Sequence, residues 1–215
     1  MGYSYLIDQQ IQPAYVEFQK AAELNPKDRD THYALGHIYF VQGNYDKAAS
    51  EFRRVLKLDP RYAEAWNYLG KVYDEQGKSD LALQQFDKAL SFPQYLTPDL
   101  AQYNKGKVYL KLKQPDQALR AFAAALRVNP THALAAFEAG RIYEEQGADR
   151  EAIAAFEITV KQLPDFAEGH YHLAKSYARA EMPDKAKDSY RKVVELAPGS
   201  VWAEDANNYL ARLRK

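Results

Sequence analysis

The groups in this chain that could titrate, attack or ligate are five histidines, several acidic pairs and no cysteine. Without cysteine there is no disulfide, no thiolate nucleophile and no thiolate-bound zinc, and the compartment stays open. The histidines His32, His37, His132, His170 and His172 do not converge; His170 and His172 stand two residues apart, a spacing that points rings away from each other on a helix. A metal site is therefore not expected. Asp74-Glu75 and Glu144-Glu145 could suggest a general acid, but each precedes a glycine that ends a helix, so they read as solvated charge. No phosphate-cradling glycine loop and no nucleophile motif occurs. The expectation is a non-enzyme with no catalytic residues, no cofactor and no metal.

Charge narrows the partners. Basic and acidic residues balance at 29 each, so no global field draws the chain to nucleic acid or to an anionic membrane. No apolar run approaches the roughly 18 residues of a membrane span, and the first residues lack the basic-then-apolar order of a signal peptide. Leu6 stands where a myristoylation motif after Met1-Gly2 would need Ser or Thr. Membrane contact is thus expected only through a lipid anchor outside this sequence.

The elements that hold these residues follow from a repeat. Ala14, Ala48, Ala82, Ala118, Ala152 and Ala186 are spaced by 34, 34, 36, 34 and 34 residues. Four residues after each alanine comes an aromatic: Phe18, Phe52, Phe86, Phe122, Phe156 and Tyr190. Nine before it comes a tyrosine, and three before that a glycine, at Gly2, Gly36, Gly70, Gly106 and Gly140, with Ala174 the exception. Prolines end the units at Pro26, Pro60, Pro130, Pro164 and Pro198, with Pro93 displaced by one. On these columns, and on Trp66, Leu69, Gly70, Tyr73, Ala82 and Phe86 in particular, the chain resembles the tetratricopeptide repeat (TPR) proteins along essentially its whole length.

The resemblance implies an all-α TPR solenoid, a right-handed superhelix of antiparallel helix pairs, forming one domain over residues 1–215. With the alanine as position 20, the repeats run 1–28, 29–62, 63–98, 99–132, 133–166 and 167–199. Apolar positions 4, 7, 8 and 11 make one face of a first helix, and 20, 24 and 27 one face of a second. Small residues at 8 and 20 let backbones approach while the aromatics fill the space beside them, so each helix depends on its neighbours. Gly43, Gly77 and Gly147 should end first helices. Repeat one begins at position 7, which suggests a chain cut from a longer protein. Ser200 should cap a closing helix over 200–215, with Trp202, Ala206, Tyr209, Leu210 and Leu213 as its apolar stripe. Ser91 to Pro98 carries two extra residues and is expected as a protruding turn, either a tolerated insertion or a binding loop.

First helices line the concave side of such a stack. Positions 5, 9 and 12 lie about 130° from the packing stripe at 100° per residue. They place Tyr33, Asn67, Tyr103, Phe137 and Tyr171 in one row, His37, Lys71, Lys107, Arg141 and Lys175 in a second, and Phe40 in a third. An aromatic row beside a cationic row suits a protein or peptide segment with apolar anchors and some acidic or carbonyl character; alternatively the aromatics pad the core and the lysines are solvated. No repeat pairs Lys at position 5 with Asn at position 9, the pair that marks the TPR co-chaperones of Hsp70 and Hsp90, so that adaptor role is not expected.

The length, the helix-pair count, the insertion after repeat three and stretches such as GYSYLIDQQIQPAYVEFQKAAELNP resemble the outer-membrane pilotin lipoproteins of type IV pilus biogenesis, of the PilF, PilW and Tgl type. That resemblance implies a monomeric scaffold that binds secretin subunits and aids their localisation and assembly, anchored by lipid at the periplasmic face of the outer membrane. The alternatives are a generic adaptor or assembly scaffold, in cytoplasm or periplasm, and, more remotely, the TPR portion of a larger enzyme.

Overall fold

A computed structural model of the chain describes residues 11–213. They form helices only: α1 (Ile11–Leu24), α2 (Arg29–Val41), α3 (Tyr45–Leu58), α4 (Ala63–Glu75), α5 (Ser79–Leu90), α6 (Pro98–Lys111), α7 (Pro115–Val128), α8 (Ala133–Glu145), α9 (Asp149–Gln162), α10 (Ala167–Arg179), α11 (Pro183–Leu196) and α12 (Val201–Arg212). First helices start at 29, 63, 98, 133 and 167, within one residue of the repeat boundaries read from the alanine column. The truncated opening helix expected ahead of α1 lies outside the described residues.

The fold divides into two compact units, Met1–Leu112 and Lys113–Lys215. The division falls inside the fourth repeat, between its two helices. In the first unit α2 packs on α3 and α4 on α5; in the second α8 packs on α9 and α10 on α11. Three of these pairs are joined by the glycine and aromatic columns, Ala174 taking the glycine's place in α10. A Cβ at Gly36 would stand 2.8 Å from the Phe52 ring, one at Gly70 2.6 Å from Phe86, and one at Gly140 2.6 Å from Phe156. Real carbon atoms do not approach so closely, so glycine is what allows the two helices to touch there. The rings of Phe52, Phe86, Phe122 and Phe156 are all fully buried.

Position 4 adds a hydrogen bond to the packing expected of it. His32 Nε2 lies 2.9 Å from the Pro26 carbonyl, Trp66 Nε1 donates to the Pro60 carbonyl at 2.9 Å, and His170 Nε2 lies 2.9 Å from the Pro164 carbonyl. Each ring thereby ties a first helix to the proline turn before it, where a backbone carbonyl would otherwise lack a partner.

The helix ends follow the expected punctuation. Gly43, Gly77 and Gly147 leave their helices at φ near +72°, the left-handed region open to glycine. Ser200 Oγ accepts from Ala203 N at 3.1 Å and caps α12. Two expectations need correction. On α12 Ala206 is buried and Trp202, Tyr209 and Leu210 pack against the core as expected, but Ala203 joins them and Leu213, past the helix end, stays exposed. The Ser91 to Pro98 turn does not simply protrude. Tyr95 folds back among Ala63, Ala89 and Ala101, burying its ring, and leaves Leu96 85% exposed at the tip.

Candidate functional site

The first unit brings Tyr33, Asn67, Lys71 and Tyr103 together in one cleft of about 320 Å³. Sequence reasoning named these four; it missed Tyr68, Tyr95, Glu64, Asn104, Thr97 and Leu100, which complete the lining. The floor is aromatic. Tyr33 meets Tyr68 edge-on at 5.7 Å and Tyr62 at 5.2 Å, and Tyr68 stacks on the buried Phe52 ring at 5.4 Å and 25°. Phe40 and His37 close the same cluster against Tyr68, at 6.1 Å and 5.3 Å. A signal for Tyr68 existed in the sequence: it stands three residues before Lys71, one helical turn below it.

Lys71 is the charged group of this cluster. Its Nζ sits 4.4 Å from the Tyr68 ring centroid and 4.7 Å from that of Phe40, both within cation–π reach. Burial draws its pKa below the ordinary lysine value, and the neighbouring Lys107 charge pushes the same way. Burial also lowers His37, with help from Lys71. Among the described residues neither Lys71 nor Lys107 has a carboxylate oxygen within 4 Å; Lys107 lies 5.8 Å over the Tyr103 ring. At the other end of the cleft burial pushes Tyr95 up to about 12. The Tyr95 hydroxyl is buried with no hydrogen-bond partner of good geometry, though Thr97 is near enough to act on its acidity. Asn67 is 5% exposed and accepts from Asn104 at 3.1 Å, so it braces the cleft wall rather than presenting an amide to solvent.

The remaining expected groove residues lie in the second unit, in a different setting. Phe137 is 5% exposed, packed against Phe166 at 4.9 Å and Phe156 at 5.9 Å; it is a core residue, because His172 covers it. Tyr171 donates its hydroxyl to Asp205 at 2.7 Å. Arg141 is exposed beside Glu138 at 3.8 Å. Lys175 Nζ lies 3.0 Å from Glu144. Glu144 itself corrects the expectation of a solvated helix end: it is 9% exposed, accepts from His172 Nδ1 at 2.6 Å, and has Arg179 at 4.0 Å. Burial alone would raise its pKa, but the hydrogen bonds and charges of His172 and Lys175 prevail and hold the carboxyl at about 2. Asp74 is also no free surface charge, since Lys111 donates to it at 2.7 Å. Among the described residues no group of three His, Cys, Asp or Glu side chains is placed to hold a metal ion, and no helix is long and apolar enough to cross a membrane.

The tetratricopeptide repeat pattern matches residues 17–54, 33–96, 103–156 and 167–200. The chain belongs to the tetratricopeptide repeat family. TPR folds are protein-interaction scaffolds, and the aromatic cleft is the kind of surface on which such a scaffold holds a protein segment. Among solved structures the chain is similar to PilF of Pseudomonas aeruginosa, with 25% identity over 96% of this chain and 93% of that one and a TM-score of 0.86. It shares its fold with PilW, described as a widely conserved type IV pilus biogenesis factor, at 23% identity over 100% and 95% of the two chains and a TM-score of 0.79. It is also similar to YrrB, described as a TPR protein with an unusual peptide-binding site, at 27% identity over 89% and 97% and a TM-score of 0.67. No curated protein matches the sequence.

Proposed function

We propose that the chain is a non-enzymatic scaffold of type IV pilus biogenesis that binds secretin subunits and aids their localisation and assembly in the outer membrane, working from a lipid anchor at the periplasmic face. The observation that carries the binding role is the first unit's cleft, where Tyr33, Tyr68, Tyr95 and Tyr103 face one space beside a partly desolvated Lys71. Rigid aromatic side chains in a recess supply large contact area at small entropic cost, which is the usual composition of a binding hot spot. The pilus assignment is supported by likeness to PilF and PilW over nearly the full length of both partners.

The test is genetic and biochemical together. Deleting the gene from its source should remove assembled secretin from the outer membrane and pili from the cell surface. The wild-type gene should restore both, and a Tyr68→Ala, Tyr103→Ala variant that still folds should not. Normal pili and normal secretin in the deletion strain would refute the pilus role. In that event the likeness to YrrB favours a general peptide-binding adaptor that uses the same cleft.

A further inference from the structure

The first unit leaves Lys71 without a carboxylate in contact, in a place where the second unit supplies one; ahead of Lys107 the matching position holds Asp74, which is engaged by Lys111. Lys71 and Lys175 occupy the same repeat position, four residues after Asn67 and Tyr171 respectively. In the second unit Glu144, projecting from the preceding first helix, meets Lys175 at 3.0 Å and His172 at 2.6 Å. The matching position in the first unit is Phe40, whose ring Lys71 covers at 4.7 Å. Lys71 is thus partly stripped of water and close enough to Lys107 to feel its charge; ring faces are its direct contacts, and the Glu75 charge acts on it only from beyond contact distance. A ring face offsets less of the desolvation cost of an ammonium than a carboxylate does.

We infer that the cleft takes a protein segment bearing an aspartate or glutamate whose carboxylate seats against the Lys71 and Lys107 ammonium groups, while an adjacent apolar side chain enters among Tyr33, Tyr68 and Tyr103. This rests on the reading of the cleft as a protein-binding site and adds the chemistry of its occupant. Charge gives the segment a direction. Glu64 lines the cleft on the side of Tyr33 and Tyr95, where its charge raises both phenols, so the carboxylate belongs at the opposite, lysine end.

The experiment selects binders from a random peptide library on the whole chain, then remakes the best binder with its acidic residue replaced by the matching amide. Selected peptides should carry an acidic residue next to an apolar or aromatic one. The amide version should bind about tenfold to a hundredfold more weakly, as expected for loss of a charged hydrogen bond. That difference should vanish on a Lys71→Met, Lys107→Met variant. The variant should still bind the amide peptide as the wild-type chain does, which a misfolded protein would not. Peptides that bind equally as acid and amide, yet are lost on Tyr68→Ala or Tyr103→Ala, would overturn the carboxylate inference and leave the cleft standing. Selection that yields no binder, or binders indifferent to every cleft substitution, would overturn the cleft reading and this inference with it.

Discussion

The two units build the same aromatic frame and finish it in opposite ways. In the first, Tyr33 meets Phe52 at 5.9 Å and Tyr68 stacks on Phe52 at 5.4 Å and 25°. In the second, Phe137 meets Phe156 at 5.9 Å and His172 stacks on Phe156 at 5.5 Å and 25°. A third ring closes each set, Tyr62 at 5.2 Å from Tyr33 and Phe166 at 4.9 Å from Phe137. Two exchanges separate the outcomes, Tyr68 for His172 and Phe40 for Glu144. With histidine and glutamate the lysine of the next turn is drawn into an internal network with Arg179 and Asp149, whose closest contact is 2.5 Å. With tyrosine and phenylalanine the lysine lies on rings and the recess stays open to a partner. The repeat thus sets the packing, while two side chains decide whether a groove position is spent on stability or left for binding.

The largest expected effect breaks the closed version. Glu144→Leu leaves His172 facing an apolar group, and loss of one member of a buried pair typically costs about 3–5 kcal/mol. Lys175 and Arg179 are each over a third exposed and can turn to water, so about 2–3 kcal/mol is expected here. Each unit holds one tryptophan, Trp66 and Trp202, so a Trp66→Phe background reports on the second unit alone by fluorescence. The same carboxyl predicts acid sensitivity. Its folded pKa of about 2 lies below the unfolded value of 4.5, so its contribution is complete above pH 4.5 and disappears as pH falls towards 2. Trp202 should therefore report unfolding earlier in this range than it does in Glu144→Leu relative to that variant's own neutral stability. An equal acid response in both proteins would show that Glu144 does not hold the second unit.

A middle-sized effect should be the same in both units, because the frame is the same. Gly70→Leu and Gly140→Leu each drive a branched side chain into a ring already 2.6 Å from where Cβ would stand. Overpacking of this kind costs typically about 1–3 kcal/mol. Circular dichroism melts of the two variants should fall by similar amounts. A large loss at one site with none at the other would break the equivalence on which the comparison rests.

The parts of this picture that were legible in the sequence are those written in one column. The glycine and aromatic columns predicted the close helix contacts, the turn glycines predicted the left-handed exits, and Ser200 predicted its cap. Legibility stopped where burial depends on which side chain arrives from the next repeat. Helical-face arithmetic put Phe137 and Tyr33 in one solvent-facing row, but His172 and Phe166 bury the first. Within its own helix nothing covers Glu144, so the sequence reads as a solvated end; its partners His172, Lys175 and Arg179 arrive from the following repeat, 28 or more residues on. Tyr68 is hidden from the same arithmetic because its stacking partner Phe52 lies in the preceding repeat.

The smallest effect concerns the turns. In the first unit both left-handed turn residues are glycine, Gly43 and Gly77, whereas at the same repeat position the second unit keeps glycine only at Gly147, and Lys113 and Glu181 adopt φ of 57°. A side chain in this region costs about 1–2 kcal/mol through the contact of Cβ with the following carbonyl. Glycine removes that strain but adds freedom to the unfolded chain, roughly 0.5–1 kcal/mol against the folded state. Lys113→Gly and Glu181→Gly should each therefore stabilise by about 0.5–1 kcal/mol. Lysine and glutamate at these sites are exposed, so no packing is lost in the exchange. Denaturant titration followed at Trp202 would measure the gain as a shifted midpoint with unchanged slope. A loss of stability in both variants would mean that the second unit's turns are held by side-chain contacts the first unit does without, and the likeness of the two frames would then end at the helices.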